Sequence, residues 1–369
     1  MYTDREYMEL ALNLAKTAKG KTNPNPLVGA VLVKDGVIVG TGLHRKAGEP
    51  HAEVHAFNMA GDYAKGATLY VTLEPCSHYG KTPPCVDLVK NSGVERVVVA
   101  TLDPNPKVSG RGVQILRDAG IEVEVGLLEK EARKLNERFF HNMLTNRPFV
   151  TLKYAMTLDG KIATYTGHSK WISGENSRLQ VHQLRDEMDA ILVGIGTVLK
   201  DNPFLTTRLP DRQGKNPVRV ILDSRLQIPL DANVLNDEAK TIIVTTTEAD
   251  PKKIVELEKN NVTLIYCSKN EQGICLEEML DQLYKFGITD ILVEGGGEVN
   301  ASFIRAGLVN KFIIYIAPKL LGGRRSISPV AGEDLETMDL AAKVEFDSFE
   351  RIGEDLCIIA YPKQGEHHG

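Results

Sequence analysis

The sequence predicts two α/β domains in one chain, each a sheet layered with helices. Three observations carry this. The chain has 369 residues, more than one ordinary hydrophobic core accommodates. Strand and helix periodicities alternate through both halves. Between them Thr145-Asn146-Arg147-Pro148 breaks the pattern, dividing the chain into 1–146 and 147–369.

The first half opens with an amphipathic helix over 4–18, its stripe marked by Leu10, Leu14 and Ala18. Runs 27–34 and 37–43 read as strands joined at Asp35-Gly36, a strong hairpin turn. Helices follow at 52–60, 84–91, 110–119 and 129–144, with strands at 68–73, 95–101 and 121–126. In the second half, strands are expected at 149–155, 190–194, 218–223, 241–246, 262–267, 290–293 and 311–317. Helices are expected at 174–187, 276–286 and 298–306, and a closing strand pair within 344–362.

Composition excludes several function classes. A net charge of −5 gives no general attraction to nucleic acid or an anionic membrane. No RNP-like aromatic motif supports a nucleic-acid editing protein. The N-terminus MYTDREYMEL lacks a basic start and an apolar run, so no signal peptide is expected. No stretch reaches the length of a membrane span. Five cysteines, an odd number, argue for a reducing cytoplasm and thiols free to bind metal.

The strongest chemical signal is His51-Ala52-Glu53, then Glu74-Pro75-Cys76 and Cys85. Imidazole and thiolate suit zinc, and three protein ligands leave a position for water. His51, Cys76 and Cys85 form that set. Cys85 follows Pro83-Pro84 and should open a helix, which favours its thiolate. Glu53, two positions from His51 and off its face on a regular helix, is assigned to proton transfer rather than ligation. The chain matches H-x-E and P-C of the zinc deaminase signature H-x-E…P-C-x-x-C. It departs where eight residues separate Cys76 from Cys85. Competing readings are a four-ligand structural zinc with His78, a His51/His55 pair whose glutamate is misplaced for a zincin, and cysteines that are merely buried. In the second half, Gly295-Gly296-Gly297 and Gly194-Ile195-Gly196 follow strands, as phosphate-approaching turns do, without the G-x-G-x-x-G fingerprint.

With these residues assembled, the chain resembles the bifunctional riboflavin biosynthesis deaminase/reductase family. The long cysteine loop Thr72–Cys85, Asn25–Val31, Asp103–Pro106, Gly110-Arg111-Gly112, Leu152–Ala163, Ser169–Ile172, Asp201–Pro203 and Val293–Gly297 carry the likeness. It implies a cytidine-deaminase-like α/β/α layered sheet followed by a dihydrofolate-reductase-like α/β domain. It implies one zinc ion, NADPH and a phosphorylated pyrimidine substrate. The substrate would be 2,5-diamino-6-ribosylamino-4(3H)-pyrimidinone 5′-phosphate, deaminated and then reduced from ribosyl to ribityl. By the resemblance, Asn25, His44, Lys81, Asp103 and Asn105 contact the substrate of the first step. Ala155, Trp171, Thr197, Asp201, Ser224, Gly296 and Gly297 line the cofactor site. Lys153, Ser169, Arg185, Leu205, Arg208 and Glu294 face the second substrate. Ser173 stands where the family leads one to expect threonine. Gly110-Arg111-Gly112 opens a helix, either to hold an anion or simply as a helix start. A homo-oligomer is expected, with no nucleic acid or membrane partner. The alternatives are a zinc deaminase of another nucleoside and a non-catalytic, zinc-stabilised NADP sensor, which has no use for Glu53.

Overall fold

A computed structural model describes residues 2–79, 83–106, 108–258, 262–270 and 273–363. The chain falls into two compact units, Met1–Asn146 and Arg147–Gly369.

In the first unit, α1 (Asp4–Lys16) is started by Thr3 and Glu6, which cap each other's backbone reciprocally. Strands β1 (Gly29–Lys34) and β2 (Val37–Leu43) form the hairpin, with Asp35 and Gly36 both at positive φ, as its two-residue turn requires. Then come α2 (Ala52–Ala60), β3 (Thr68–Val71), α3 (Cys85–Asn91), β4 (Arg96–Val99), α4 (Arg111–Asp118) and β5 (Glu122–Val125). The sheet order is β2-β1-β3-β4-β5, with β3, β4 and β5 parallel. Strand alternation builds two cores. Ala30, Leu32, Val97 and Val99 face the helices α2, α3 and α4, whereas Val31, Val33 and Val98 face α1. This is the α/β/α layering expected.

The helix expected over 129–144 is two helices, α5 (Glu129–Leu135) and α6 (Glu137–Thr145). Asn136 separates them, and its buried amide pairs with the Leu27 backbone in both directions, at 2.8 and 2.9 Å. That pairing satisfies Leu27's buried backbone groups and competes with helix continuation.

The second unit contains β6 (Phe149–Thr157), α7 (Glu175–Glu187), β7 (Ala190–Gly194), α8 (Ile195–Asp201), β8 (Val218–Leu222), β9 (Thr241–Thr245), α9 (Pro251–Glu258), β10 (Val262–Tyr266) and the short pair β11 (Lys269–Asn270) and β12 (Gly273–Ile274). It ends with α10 (Leu276–Lys285), β13 (Asp290–Val293), α11 (Gly297–Arg305), β14 (Lys311–Ala317), β15 (Val344–Ile352) and β16 (Asp355–Pro362). The nine strands run β10-β9-β8-β7-β13-β6-β14-β16-β15, parallel from β10 to β14 and antiparallel beyond. Two helices went unpredicted. α8 begins directly at the Gly194 turn. α9 begins at Asp250-Pro251, a cap followed by a first-turn proline, with Lys252 N–H donating to Asp250 at 2.9 Å.

After β7 the chain proceeds to β8 on one side, whereas after β13 it proceeds to β14 on the other. The strand order therefore reverses between β7 and β13, and a crevice opens there at the carboxyl ends of the strands.

Candidate active sites

In the first unit the site is built on the start of α2. His51 is its N-cap residue, with extended backbone, and Glu53 is in its first turn. Because His51 stands outside the helix, the two-residue spacing does not turn Glu53 away from it, and Glu53 faces the same centre. Gly42 allows this placement. A Cβ there would meet the Ala52 carbonyl oxygen at 2.0 Å, so only glycine lets α2 press on β2.

His51 Nδ1 is 3.2 Å from Cys85 Sγ and 3.6 Å from Cys76 Sγ, and all three donor atoms lie within 4.8 Å of one another. Tetrahedral zinc with ordinary Zn–N and Zn–S bonds sets such nitrogen and sulfur atoms about 3.5 Å apart. Cys85 opens α3, and its N–H, one of the free donors of a helix start, donates to Cys76 Sγ at 3.2 Å. Cys76 is drawn well below the ordinary thiol range, first by the Cys85 thiol that donates to it and then by His51 and that N–H. Cys85 is pushed up, because the Cys76 thiolate and burial oppose a second negative charge. A divalent cation resolves this conflict by taking both sulfurs as thiolates, so the donor set fits zinc. His78 is not in the cluster, which removes the fourth ligand that the structural-zinc reading requires. His55 sits one turn on with its buried Nε2 unpartnered, and it does not join the cluster either.

Glu53 is 3% exposed and meets the Cys85 thiol. Burial raises its carboxyl to about 7, the Cys76 charge adds to the rise, and His51 opposes it. Beside it, the His44 ring lies edge-on to His51 with centroids 5.4 Å apart. His44 Nδ1 meets the Pro50 carbonyl at 3.2 Å and Nε2 meets Asn25 Nδ2 at 3.1 Å. A carbonyl only accepts, so Nδ1 carries the proton and Nε2 accepts from Asn25. Burial lowers the His44 pKa and keeps the ring neutral. The Asn25 amide oxygen is thereby left as an acceptor.

In the second unit two clefts meet. One, of about 1040 Å³, occupies the crevice between β7 and β13 and is lined by Thr197, Asp201, Ser224, Gly296, Gly297 and Ser169 among others. The other, of about 830 Å³, is lined by Lys153, Ala155, Trp171, Arg178, His182, Arg185, Arg208 and Glu294 among others. Ser169, Glu294, Ile162 and Gly295 line both. Glu294, its side chain 11% exposed, takes Arg185 in a fork, Nε at 2.8 Å and Nη2 at 3.1 Å, and Lys153 Nζ at 3.4 Å. Burial alone would raise its pKa, but Arg185 and then Lys153 hold it down at about 2.

Comparison with known proteins now bears on both units. The cytidine and deoxycytidylate deaminase zinc-binding region matches residues 1–101, and the RibD C-terminal domain matches 148–358. Riboflavin biosynthesis protein RibD of Aquifex aeolicus is 51% identical over 357 residues, covering 96% of this chain and 98% of that protein. The chain belongs to the RibD family. A solved RibD from Acinetobacter baumannii superposes with a TM-score of 0.87 at 39% identity, covering 98% of this chain and 99% of its own. A Thermotoga maritima structure, named a diaminohydroxyphosphoribosylaminopyrimidine deaminase/5-amino-6-(5-phosphoribosylamino)uracil reductase, gives 0.85 at 41%, with coverage of 98% and 99%. As a RibD-family member the chain is a hydrolase and an oxidoreductase, a zinc-binding deaminase and a reductase that uses NADPH.

Asn25, His44 and Glu53 gather around the three metal donors. Asp103 lies close enough to Cys76 and His78 to feel their charges. Its carboxylate accepts from Asn105 N–H at 2.8 Å. Lys81 lies outside the described residues. The anion at Gly110-Arg111-Gly112 is the protein's own: Glu74 accepts from Gly110 N–H at 2.9 Å. Ala155 and Trp171, read as cofactor residues, line the smaller cleft. Trp171 is 64% exposed, which excludes a core role, and the Arg178 guanidinium stacks 4.5 Å from its ring. Leu205 is buried among Val198, Ile191 and Ile221 and lines neither cleft.

Sequence reasoning missed His182. It shares a face of α7 with Arg178 and Arg185 at i, i+4 and i+7, a spacing that marks a charged helix face. Arg208 N–H donates to His182 Nδ1 at 3.2 Å, so Nε2 bears the proton. Burial, then the charges of Arg185 and Arg208, lower its pKa to about 4.

Proposed function

We propose that the first unit deaminates 2,5-diamino-6-ribosylamino-4(3H)-pyrimidinone 5′-phosphate. The second unit then reduces the ribosyl group to ribityl with NADPH, giving 5-amino-6-ribitylamino-uracil 5′-phosphate. The observation that carries this reading is the buried Glu53 beside the three-donor set His51, Cys76 and Cys85, in a chain of the RibD family.

Zinc, when bound, supplies the Lewis acidity that makes water nucleophilic near neutral pH. Glu53 takes a proton from that water and returns it to the leaving amine, so ammonia departs as oxygen replaces nitrogen on the ring carbon. Asn25 orients the pyrimidine through the amide oxygen that its bond to His44 leaves available. Asp103, Asn105 and Lys81 contact the rest of the substrate.

In the reduction, NADPH supplies the hydride. Thr197, Asp201, Ser224, Gly296 and Gly297 hold the cofactor in the larger cleft, and Ala155 and Trp171 meet it from the adjoining smaller one. Lys153, Ser169, Arg185, Arg208 and Glu294 serve the sugar phosphate, whereas Leu205 lies in the core behind them. Their roles divide. Arg185 is engaged internally, its fork with Glu294 joined by a bond from Nη1 to the Thr206 carbonyl at 3.1 Å. The Arg208 guanidinium forms no ion pair or hydrogen bond among the described residues, and it is the one we assign to the phosphate. Arg208→Ala should raise the KM for reduction about 10- to 100-fold, the loss of one charge-assisted contact, with kcat nearly unchanged. Deamination should be unaffected. Steady-state kinetics on the deaminated intermediate check this, and an unchanged KM removes Arg208 from the phosphate site.

A homo-oligomer in the cytoplasm completes the reading. No helix among the described residues is long and apolar enough to cross a membrane. Edge strand β15 exposes Phe346 and Phe349, an apolar edge of the kind that subunit contacts cover. Light scattering of the purified chain tests the assembly.

Product mass spectrometry tests the function. The protein is given the diaminopyrimidinone ribosylamino phosphate with and without NADPH. The amine should be exchanged for oxygen without NADPH, and two hydrogens gained with it. No mass change from a zinc-loaded protein overturns the reading.

A further inference from the structure

Glu74 is a carboxylate with no place in the chemistry above, yet it is 6% exposed and two residues from Cys76. Burying it requires donors, and the structure supplies three, all backbone. Oε2 accepts from Asp103 N–H at 3.1 Å and from Gly110 N–H at 2.9 Å, and Oε1 accepts from Val113 N–H at 3.2 Å. One side chain therefore spans both ends of the 103–110 loop and the first turn of α4. Glu74 N–H in turn donates to the Thr101 carbonyl at 3.0 Å, fixing the backbone just before the loop as well. The approach is tight. A Cβ on Gly112 would meet the Pro75 carbonyl oxygen at 2.4 Å and Glu74 Oε1 at 3.1 Å.

We propose that Glu74 is a positioning residue for deamination, holding the loop that presents Asp103 and Asn105 in register with the segment that carries Cys76. The inference rests on the reading of Asp103 and Asn105 as substrate contacts. Its physical content is that metal ligand and substrate-binding loop share one rigid link. Glutamine in place of Glu74 keeps the volume but turns one acceptor into a donor facing a backbone N–H, so the loop or the first turn of α4 that continues it must move.

The experiment is kinetic, on the full zinc-loaded chain. Glu74→Gln should raise the deamination KM by about 10- to 100-fold, the penalty of misplacing a binding group by about an ångström. Zinc content, deamination kcat and NADPH-dependent reduction should stay near wild type. A fall in kcat at unchanged KM, in step with lost zinc, assigns Glu74 to fold stability alone and overturns the proposal. Gly112→Ala pushes α4 from Glu74 without changing any charge and should raise KM in the same way. It carries the test if Glu74→Gln does not fold, and an unchanged KM in it is equally fatal. Asn105→Ala separates the two readings. A wild-type KM there overturns the substrate contact itself, whereas a raised KM there with a wild-type KM in Glu74→Gln overturns only the role given to Glu74.

Discussion

Glu53→Gln should retain zinc and lose deamination by on the order of 10²–10⁴-fold, the range for removing a general acid–base group. The geometry explains why the loss should fall on kcat. Glu53 is not needed to complete the metal site, since His51, Cys76 and Cys85 already form a three-donor set without it. It is buried, it touches the Cys85 side of that set, and it sits in the first turn of α2, where the helix start favours a negative charge. Glutamine preserves shape and most contacts, so α2 and its N-cap His51 should stay in place. What glutamine cannot do is accept a proton and give it back. Metal analysis, melting temperature and single-turnover deamination together check this. Wild-type turnover in a zinc-replete variant would show that the proton moves by another route. Loss of zinc with the activity would show Glu53 to be a ligand instead.

The metal site was legible because its chemistry uses residue types that are rare in combination. His51, Cys76 and Cys85 differ from the bulk of the chain, and the prolines before His51 and Cys85 announce helix starts. Alternation made the sheets legible too, since Val97, Val98 and Val99 each face a set side. What the sequence hid depends on contacts between distant segments. Asn136 splits a helix because Leu27, more than a hundred positions earlier, needs its amide. Glu74 reads as part of a cysteine motif until α4 folds back to use it as a cap. The helix α8 was obscured because its glycine-rich start carries a turn signal, although a glycine N-cap leads into the helix. His182 looked like any helix histidine, and only the pairing of Arg208 with its ring brings it into the cleft.

Glu294→Gln should cripple reduction while leaving deamination and zinc content intact. Glu294 lines both clefts of the second unit, so it stands where cofactor and sugar must meet. Its carboxylate balances two cations, Arg185 at 2.8 Å and Lys153 at 3.4 Å. Removing one partner of a fully buried ion pair costs about 3–5 kcal/mol, and here, with the side chains 11–14% exposed, the cost falls below that range. Part of that cost should appear as a lower melting temperature of the second unit. The rest should appear in kcat for reduction, falling on the order of 100-fold or more, because Lys153 loses the group that aims it. The same pairing has a pH signature. A carboxyl held near 2 in the fold, below its unfolded value of about 4.3, stabilises the fold above that unfolded value. The contribution fades as pH falls from about 4 towards 2, so the second unit's stability should drop through that window in the wild-type chain and more shallowly in Glu294→Gln. Melting curves from pH 5 downwards on both proteins check the electrostatic half, and reduction kinetics at neutral pH check the catalytic half. A variant that melts lower but reduces at the wild-type rate would confine Glu294 to stability. Equal acid sensitivity in both proteins would mean that Arg185 and Lys153 are not what holds its charge.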